Sequence, residues 1–445
     1  MSRVLVVGAG LGGLAVSCRL AALGHDVVLR EASDTVGGKL GSYAWQTHRW
    51  DTGPSLLTLP DTLRDTFAAA GGWPPDLVLT AIRPVLRYRL RDGRWTDSDS
   101  LGPSWESLLV RGRAMWEVSR GPFLESAPTA VALARLALRD PRALVTIAPG
   151  RTLAGLGRSL PLPLQDVLWR YATYSGSDPR RAPAALASIP AIERDLGGWA
   201  VAGGLRTIVE ALATRAEELG VTVRLGAPVR QLRLEGGRVT GAQDERADVV
   251  VSGVDAAHLY LDLLPRPALV RGRRSYSAFA LMLALDGGPA MAEHTVLFGS
   301  SYVEEFDDLR AGRVAADPAI YVHAPSPDSW FLLINAPASD GEDRSGQVLD
   351  LLAARGLDVR GSIRHTACRT PRDVAACSGS PDGAIYGGAA DGPLAGFRRP
   401  ANRSPVPGLF LVGGTTHPGG GIPLVLLSAK ITAGLIGAAE PSRPR

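Results

Sequence analysis

Apolar runs punctuated by glycine set out the elements of this chain. Residues 4–7 form a β-branched run of the length of a buried parallel strand, residues 11–23 continue as a helix, and residues 26–30 form a second strand. In mid-chain, Gly203-Gly204 precedes a helical pattern over residues 205–219. Short strand-like runs follow at 221–225, 229–235 and 239–243, and residues 247–252 read as a central strand. Towards the C-terminus a short apolar strand runs into Gly413-Gly414, and a helix is expected from residue 424 to about 438. Pro423 suits its first turn, where the missing N–H costs nothing. Between these pieces, residues 73–196 are strand-like and then helical, with apolar helical faces at 130–138 and 142–147. Residues 275–285 and 319–336 alternate or run apolar, suggesting a sheet that floors a cavity.

The turn after the first strand carries chemistry. Gly8, Gly10 and Gly13 fall in G-x-G-x-x-G spacing between strand and helix. The first glycine makes the tight turn, the second admits a pyrophosphate, and the third lets helix and strand pack. Free N–H groups at the helix start receive the negative charge. Glu31, 18 positions after Gly13 at the end of the second strand, can accept from ribose hydroxyls. Gly37-Gly38-Lys39 lets backbone and a cation approach the pyrophosphate from a second side. Gly53-Pro54-Ser55 offers a rigid turn whose amides could face a flavin ring. The expected fold is α/β, with a discontinuous Rossmann-like dinucleotide-binding domain from residues 1–72, 197–257 and 403–445. Residues 73–196 and 258–402 are left for an α+β substrate domain.

Composition narrows the classes. The 445 residues are 45% apolar and 21% charged, a globular balance. Net charge is +4, but Lys39 and Lys430 are the only lysines and no run of aromatic-interleaved arginines occurs, which gives no support for nucleic acid. Cys18, Cys368 and Cys377 are too few and too badly spaced for a disulfide framework or a zinc site, so no metal is expected. Met1-Ser2-Arg3 runs straight into the first strand, so no signal peptide is expected and the protein reads as cytoplasmic. Residues 422–439 reach the lower limit of a membrane span, yet the glycine-rich strand end before them and Lys430 within them favour a buried helix. Residues 127–148 admit two readings, simple core or a face resting peripherally on the inner side of a membrane. Residues 440–445 read as disordered.

The segment from Glu31 to Lys39 with Trp50-Asp51-Thr52-Gly53-Pro54-Ser55 resembles the flavin region shared by amine oxidases, protoporphyrinogen oxidases and carotenoid desaturases. Arg170-Tyr171-Ala172-Thr173-Tyr174, Glu193, Gly198-Trp199, Asp255-Ala256-Ala257-His258 and Tyr321-Val322-His323-Ala324-Pro325 are similar to the substrate lobe of bacterial carotenoid desaturases. Gly383-Ala384-Ile385-Tyr386-Gly387 with Phe397-Arg398-Arg399-Pro400 looks more like the hydroxycarotenoid 3,4-desaturases than the phytoene desaturases. The resemblance implies FAD, an amine-oxidase or glutathione-reductase type of fold, an apolar polyene substrate, and quinone or oxygen as electron acceptor. It adds Val229, Gly413, Gly414, His417 and Ile422 to the flavin site. The reaction implied is formation of a 3,4 double bond in an acyclic, 1-hydroxylated carotenoid, by hydride transfer to flavin N5. Phytoene desaturation, amine or porphyrinogen oxidation, and non-catalytic prenyl binding are the alternatives. Glu193 is the candidate base, with a solvated turn or a structural ion pair as its bland reading, and Arg170 and Tyr174 are the groups to meet a substrate hydroxyl. His25, His48, His294 and His365 read as surface or satisfied histidines, and His258 as capping or packing.

Overall fold

The computed structural model describes residues 2–126, 138, 140–392 and 395–439. A five-stranded parallel sheet gathers distant parts of the chain. Arg3–Val7 lies between Asp26–Arg30 and Val249–Ser252; Thr222–Arg224 adds outside the former and Leu409–Leu411 outside the latter. These strands are apolar runs because both faces are covered. On one face, Val4, Val6, Val27 and Leu29 pack with the helices Leu11–Ala22, Arg206–Glu218 and Ile422–Ile436 through Leu14, Leu212 and Leu426. On the other, Leu5, Val7, Val28 and Val250 pack with Val239 and Ala242 of a small three-stranded sheet, and with Leu259 and Tyr260.

Two local devices fix these helices. A Cβ on Gly13 would stand 1.9 Å from the Gly8 carbonyl oxygen, so the first helix sits directly on the strand end. The Asp51 carboxylate accepts the Leu205 and Arg206 N–H groups at 2.6 and 3.0 Å, satisfying the start of the helix Arg206–Glu218. Burial pushes the Asp51 carboxyl up.

A second sheet has seven strands in the order Ile363–Arg369, Ser277–Leu285, Ser329–Ala336, Ile320–Ser326, His294–Leu297, Arg87–Arg89, Trp95–Asp97. Period-2 alternation sorts its side chains. Phe279, Leu281, Leu283, Trp330, Leu332, Ile334, Ile320 and Val322 point into a closed core under the helix Ser345–Ala354. The alternate residues Ala278, Ala280, Phe331, Leu333 and Tyr321 line a cavity on the opposite face. The single run expected over 319–336 is a hairpin, because the chain reverses at Pro327-Asp328 and Ser326 pairs with Ser329. A helical layer roofs the cavity, with Ser188–Leu196 packed on Pro103–Ser119.

No helix among the described residues is long and apolar enough to cross a membrane. Ile422–Ile436 has 15 residues and buries Leu426, Ala429 and Ala433 in the core. Of the stretch 127–148, residues 127–137 and 139 lie outside the described residues, and so do 440–445. Pro141–Ile147 is helical, and Leu138 and Val145 are exposed.

Candidate flavin and substrate cavity

One cavity of about 1290 Å³ runs from the glycine turn of the parallel sheet across the floor of the seven-stranded sheet. That exceeds the roughly 300–1,000 Å³ of a usual small-ligand pocket and leaves room for a dinucleotide and an elongated second molecule.

At its first end the backbone is bare. Gly10 is the N-cap of the helix Leu11–Ala22 and supplies no capping side chain, so the first N–H groups are open to an anion. A Cβ on Gly10 would meet nothing nearer than the Gly37 carbonyl at 3.9 Å, which leaves space for a phosphate rather than for protein. Gly8, Gly37, Gly38 and Val229 share this wall. The Glu31 carboxylate sits at its edge, where Oε2 accepts the Ala9 N–H at 2.6 Å and Oε1 the Ser33 N–H at 2.9 Å. A second uncapped helix start opens on the same cavity: Gly421 is the N-cap of Ile422–Ile436, and Gly413, Gly414 and Ile422 line the wall beside it. Two open helix starts, a carboxylate at a strand end and a glycine-lined cradle fit FAD.

Gly13 lies behind the turn and outside the cavity wall, in the packing position its spacing gives it, and so makes no part of the cradle surface. Two other expected residues stand differently from their sequence reading. Lys39 reaches the wall, but its Nζ donates to the Ala384 and Ile385 carbonyls at 3.2 and 2.8 Å, and burial pulls its pKa down. It ties the flavin turn to a distant loop, because a buried ammonium needs oxygen acceptors. Gly53 is required by backbone contact, since a Cβ there would stand 2.1 Å from the Lys39 carbonyl, while Pro54 and Ser55 face the cavity. His417 also lines the wall. Its Nε2 pairs with the Ser126 carbonyl at 2.9 Å, and burial holds its imidazole down at about 4, so it is neutral at pH 7.

The substrate end is mostly apolar and includes a buried polar cluster. Leu186, Ile189, Ile192, Val296, Phe331 and Leu333 supply the apolar lining. Arg170 and Tyr174 come from the 3₁₀ segment Arg170–Ser175, and Glu193 from Ser188–Leu196. Arg170 Nη1 donates to Tyr174 Oη at 2.8 Å. The Tyr171 and Tyr174 hydroxyls donate to Glu193 Oε2 and Oε1 at 2.7 and 3.2 Å, and the Arg170 guanidinium lies 3.9 Å from Glu193. Burial pushes the Glu193 carboxyl up, against the pull of Arg170 and both hydroxyls. Glu193 is 4% exposed, so its reading as a solvated turn is overturned. His294 also departs from a surface or satisfied reading: it is fully buried and its Nε2 has no hydrogen-bond partner among the described residues. His258 Nδ1 pairs with Asp262 at 2.6 Å. Tyr321, whose place on the floor follows from its strand, carried no chemical signal in the sequence apart from its motif.

The model of the flavin containing amine oxidoreductases matches residues 11–290. The hydroxyneurosporene desaturase of Cereibacter sphaeroides is 32% identical, covering 100% of this chain and 99% of its own. The 1-hydroxycarotenoid 3,4-desaturase of a Flavobacterium species is 28% identical over 98% of this chain and 99% of its own. Cyclohexylamine oxidase from Brevibacterium oxydans shares the fold with a TM-score of 0.66 at 16% identity, covering 98% of each chain. The chain belongs to the flavin-containing amine oxidoreductase family and, within it, to the bacterial carotenoid desaturases. Its cofactor is FAD, and it is an FAD-dependent oxidoreductase.

Proposed function

We propose that this protein is a carotenoid desaturase that forms the 3,4 double bond of an acyclic, 1-hydroxylated carotenoid. The observation that carries this reading is the buried polar cluster of Arg170, Tyr174 and Glu193 set into the wall of a mostly apolar cavity that continues to the flavin cradle. A hydrocarbon end group would gain nothing from these groups, whereas a tertiary hydroxyl can pair with Tyr174 Oη and the Arg170 guanidinium. Relatives that act on hydroxylated carotenoids support the same choice.

FAD, when bound, supplies the hydride acceptor. Gly10, Gly38 and the open start of Leu11–Ala22 would hold its pyrophosphate, Glu31 its ribose, and Gly413 to Ile422 its far end. The chain contributes position and dryness. Ala278 and Ala280 keep the floor low enough for a polyene to lie flat, while Phe331 and Leu333 exclude water. Glu193 has both oxygens engaged by tyrosine hydroxyls, so we assign it the role of holding Tyr174 and Arg170 towards the substrate hydroxyl rather than that of a free base.

Anaerobic mixing of the holoprotein with an acyclic 1-hydroxycarotenoid tests this. Bleaching of the flavin with a product lighter by one H2 is expected, at least tenfold faster than with the carotenoid lacking the hydroxyl. Equal rates would remove the hydroxyl from the account.

A further inference from the structure

A hydrogen-bonded chain runs from the cavity wall to His294, and a partly exposed carboxylate stands just beyond it. Ser55 Oγ lies in the cavity wall beside the flavin turn and is 2.6 Å from Tyr321 Oη. Tyr321 Oη is 2.6 Å from His294 Nδ1. The other ring nitrogen, Nε2, is buried with no hydrogen-bond partner among the described residues and lies 3.9 Å from Glu293 Oε1, a carboxylate whose side chain is 29% exposed. His323 Nε2 approaches the same oxygen at 3.5 Å. The pleat explains the alignment: His294 and His323 are cross-strand partners, as are Val296 and Tyr321.

Glu293, His294 and His323 bring three ligand-type side chains together. The two imidazoles stack at 4.7 Å with planes 7° apart, so their in-plane lone pairs run parallel instead of converging on one ion. Proton transfer suits this geometry better than chelation.

We propose that Ser55, Tyr321, His294 and Glu293 form a proton relay between the cavity and solvent. The proposal rests on the desaturase reading. Forming a C=C bond removes a hydride and a proton, and with the hydride taken by FAD the proton must leave an apolar chamber. A proton arriving on Ser55 Oγ displaces the hydroxyl proton to Tyr321 Oη, and the Tyr321 proton passes to His294 Nδ1. The His294 Nε2 proton then passes to the Glu293 carboxylate once that side chain swings in, and on to water. One proton enters and one leaves, with no electrons transferred along the relay. Burial, the neighbouring His323 and the Arg170 charge disfavour protonated His294, so the ring passes a proton on rather than storing it.

A pH-indicator dye followed alongside flavin bleaching in a single turnover of the holoprotein tests the relay. The two signals coincide in the wild type. In Tyr321→Phe and His294→Gln the dye signal falls behind bleaching by tenfold or more, and the delay grows in D2O, an effect that a merely structural role would not produce. Glu293→Gln, at the partly exposed outer end, repeats the delay where folding is not at stake. Coincident signals in all three variants overturn the relay. Failure of the desaturase reading is a separate result, with no bleaching of wild-type flavin by any acyclic carotenoid. In that event the same signals are followed during photoreduction with squalane filling the cavity. Proton uptake then replaces release, and coincidence in the variants again overturns the proposal.

Discussion

Gly10 and Gly13 belong to one motif but meet different surroundings. At Gly10 a side chain would enter the space kept for the pyrophosphate and clash with little protein, so Gly10→Val folds but purifies without flavin colour. At Gly13 even a methyl group collides with the Gly8 carbonyl, and Gly13→Ala costs about 3 kcal/mol or more of stability. Urea unfolding and the flavin absorbance of the purified proteins separate the two effects; yellow Gly10→Val protein would contradict the cradle. Glu31→Ala loses charge-assisted contacts to ribose and weakens FAD on the order of tenfold or more, read by flavin titration of the apoprotein. His417 carries a pH signature. Its folded pKa of about 4 lies below the 6.5 of a free imidazole, so the unfolded chain binds the extra proton. Its contribution is complete above pH 6.5 and is lost as pH falls towards 4, a change of at most about 3 kcal/mol. Urea midpoints at pH 7 and pH 4.5 therefore fall less for apo His417→Gln than for the apo wild type.

The elements legible in sequence are those whose period and caps lie close together in the chain. Residues 3–30 show strand, turn, helix and strand because buried parallel strands are continuously apolar and the glycines have fixed offsets. The floor sheet is harder to read. Its strands Ser277–Leu285 and Ser329–Ala336 are apolar on both faces, one lining a core and the other a cavity, so alternation is muted and the reversal at Pro327-Asp328 is hidden. The hairpin of Ser42–Trp45 with His48–Asp51 gives no apolar alternation either, because it is held by stacked aromatic rings including Trp45 on His365. The glycines and Glu31 that line the candidate cradle are legible in the sequence. The partners of Glu193 and the burial of His294 are not, since both depend on contacts between segments far apart in sequence. The floor carries a test of its own. Ala278→Phe fills the cavity from a position that leaves the opposite core untouched, so the variant keeps FAD and loses turnover of long polyenes. Unchanged turnover would show that the substrate does not cross this strand.

At the scale of the molecule, the cofactor end is assembled from both ends of the chain. Leu409–Leu411 pairs with Val249–Ser252, and Ile422–Ile436 packs across Leu11–Ala22. A chain ended at residue 402 loses an edge strand and the helix Ile422–Ile436 that covers Leu11–Ala22. It is expected to be insoluble or unable to bind FAD, as judged by sedimentation and flavin fluorescence. This closure places a dinucleotide cradle, an apolar floor and a buried polar cluster on one cavity, and the proposed activity depends on that continuity. The most direct test of it is the absorption spectrum of carotenoids extracted from a host that makes acyclic 1-hydroxycarotenoids, with and without this protein. A red shift with loss of one H2 per new double bond, located at the 3,4 position by NMR, is the predicted result. An unshifted spectrum from cells holding flavin-loaded protein would contradict the proposed substrate.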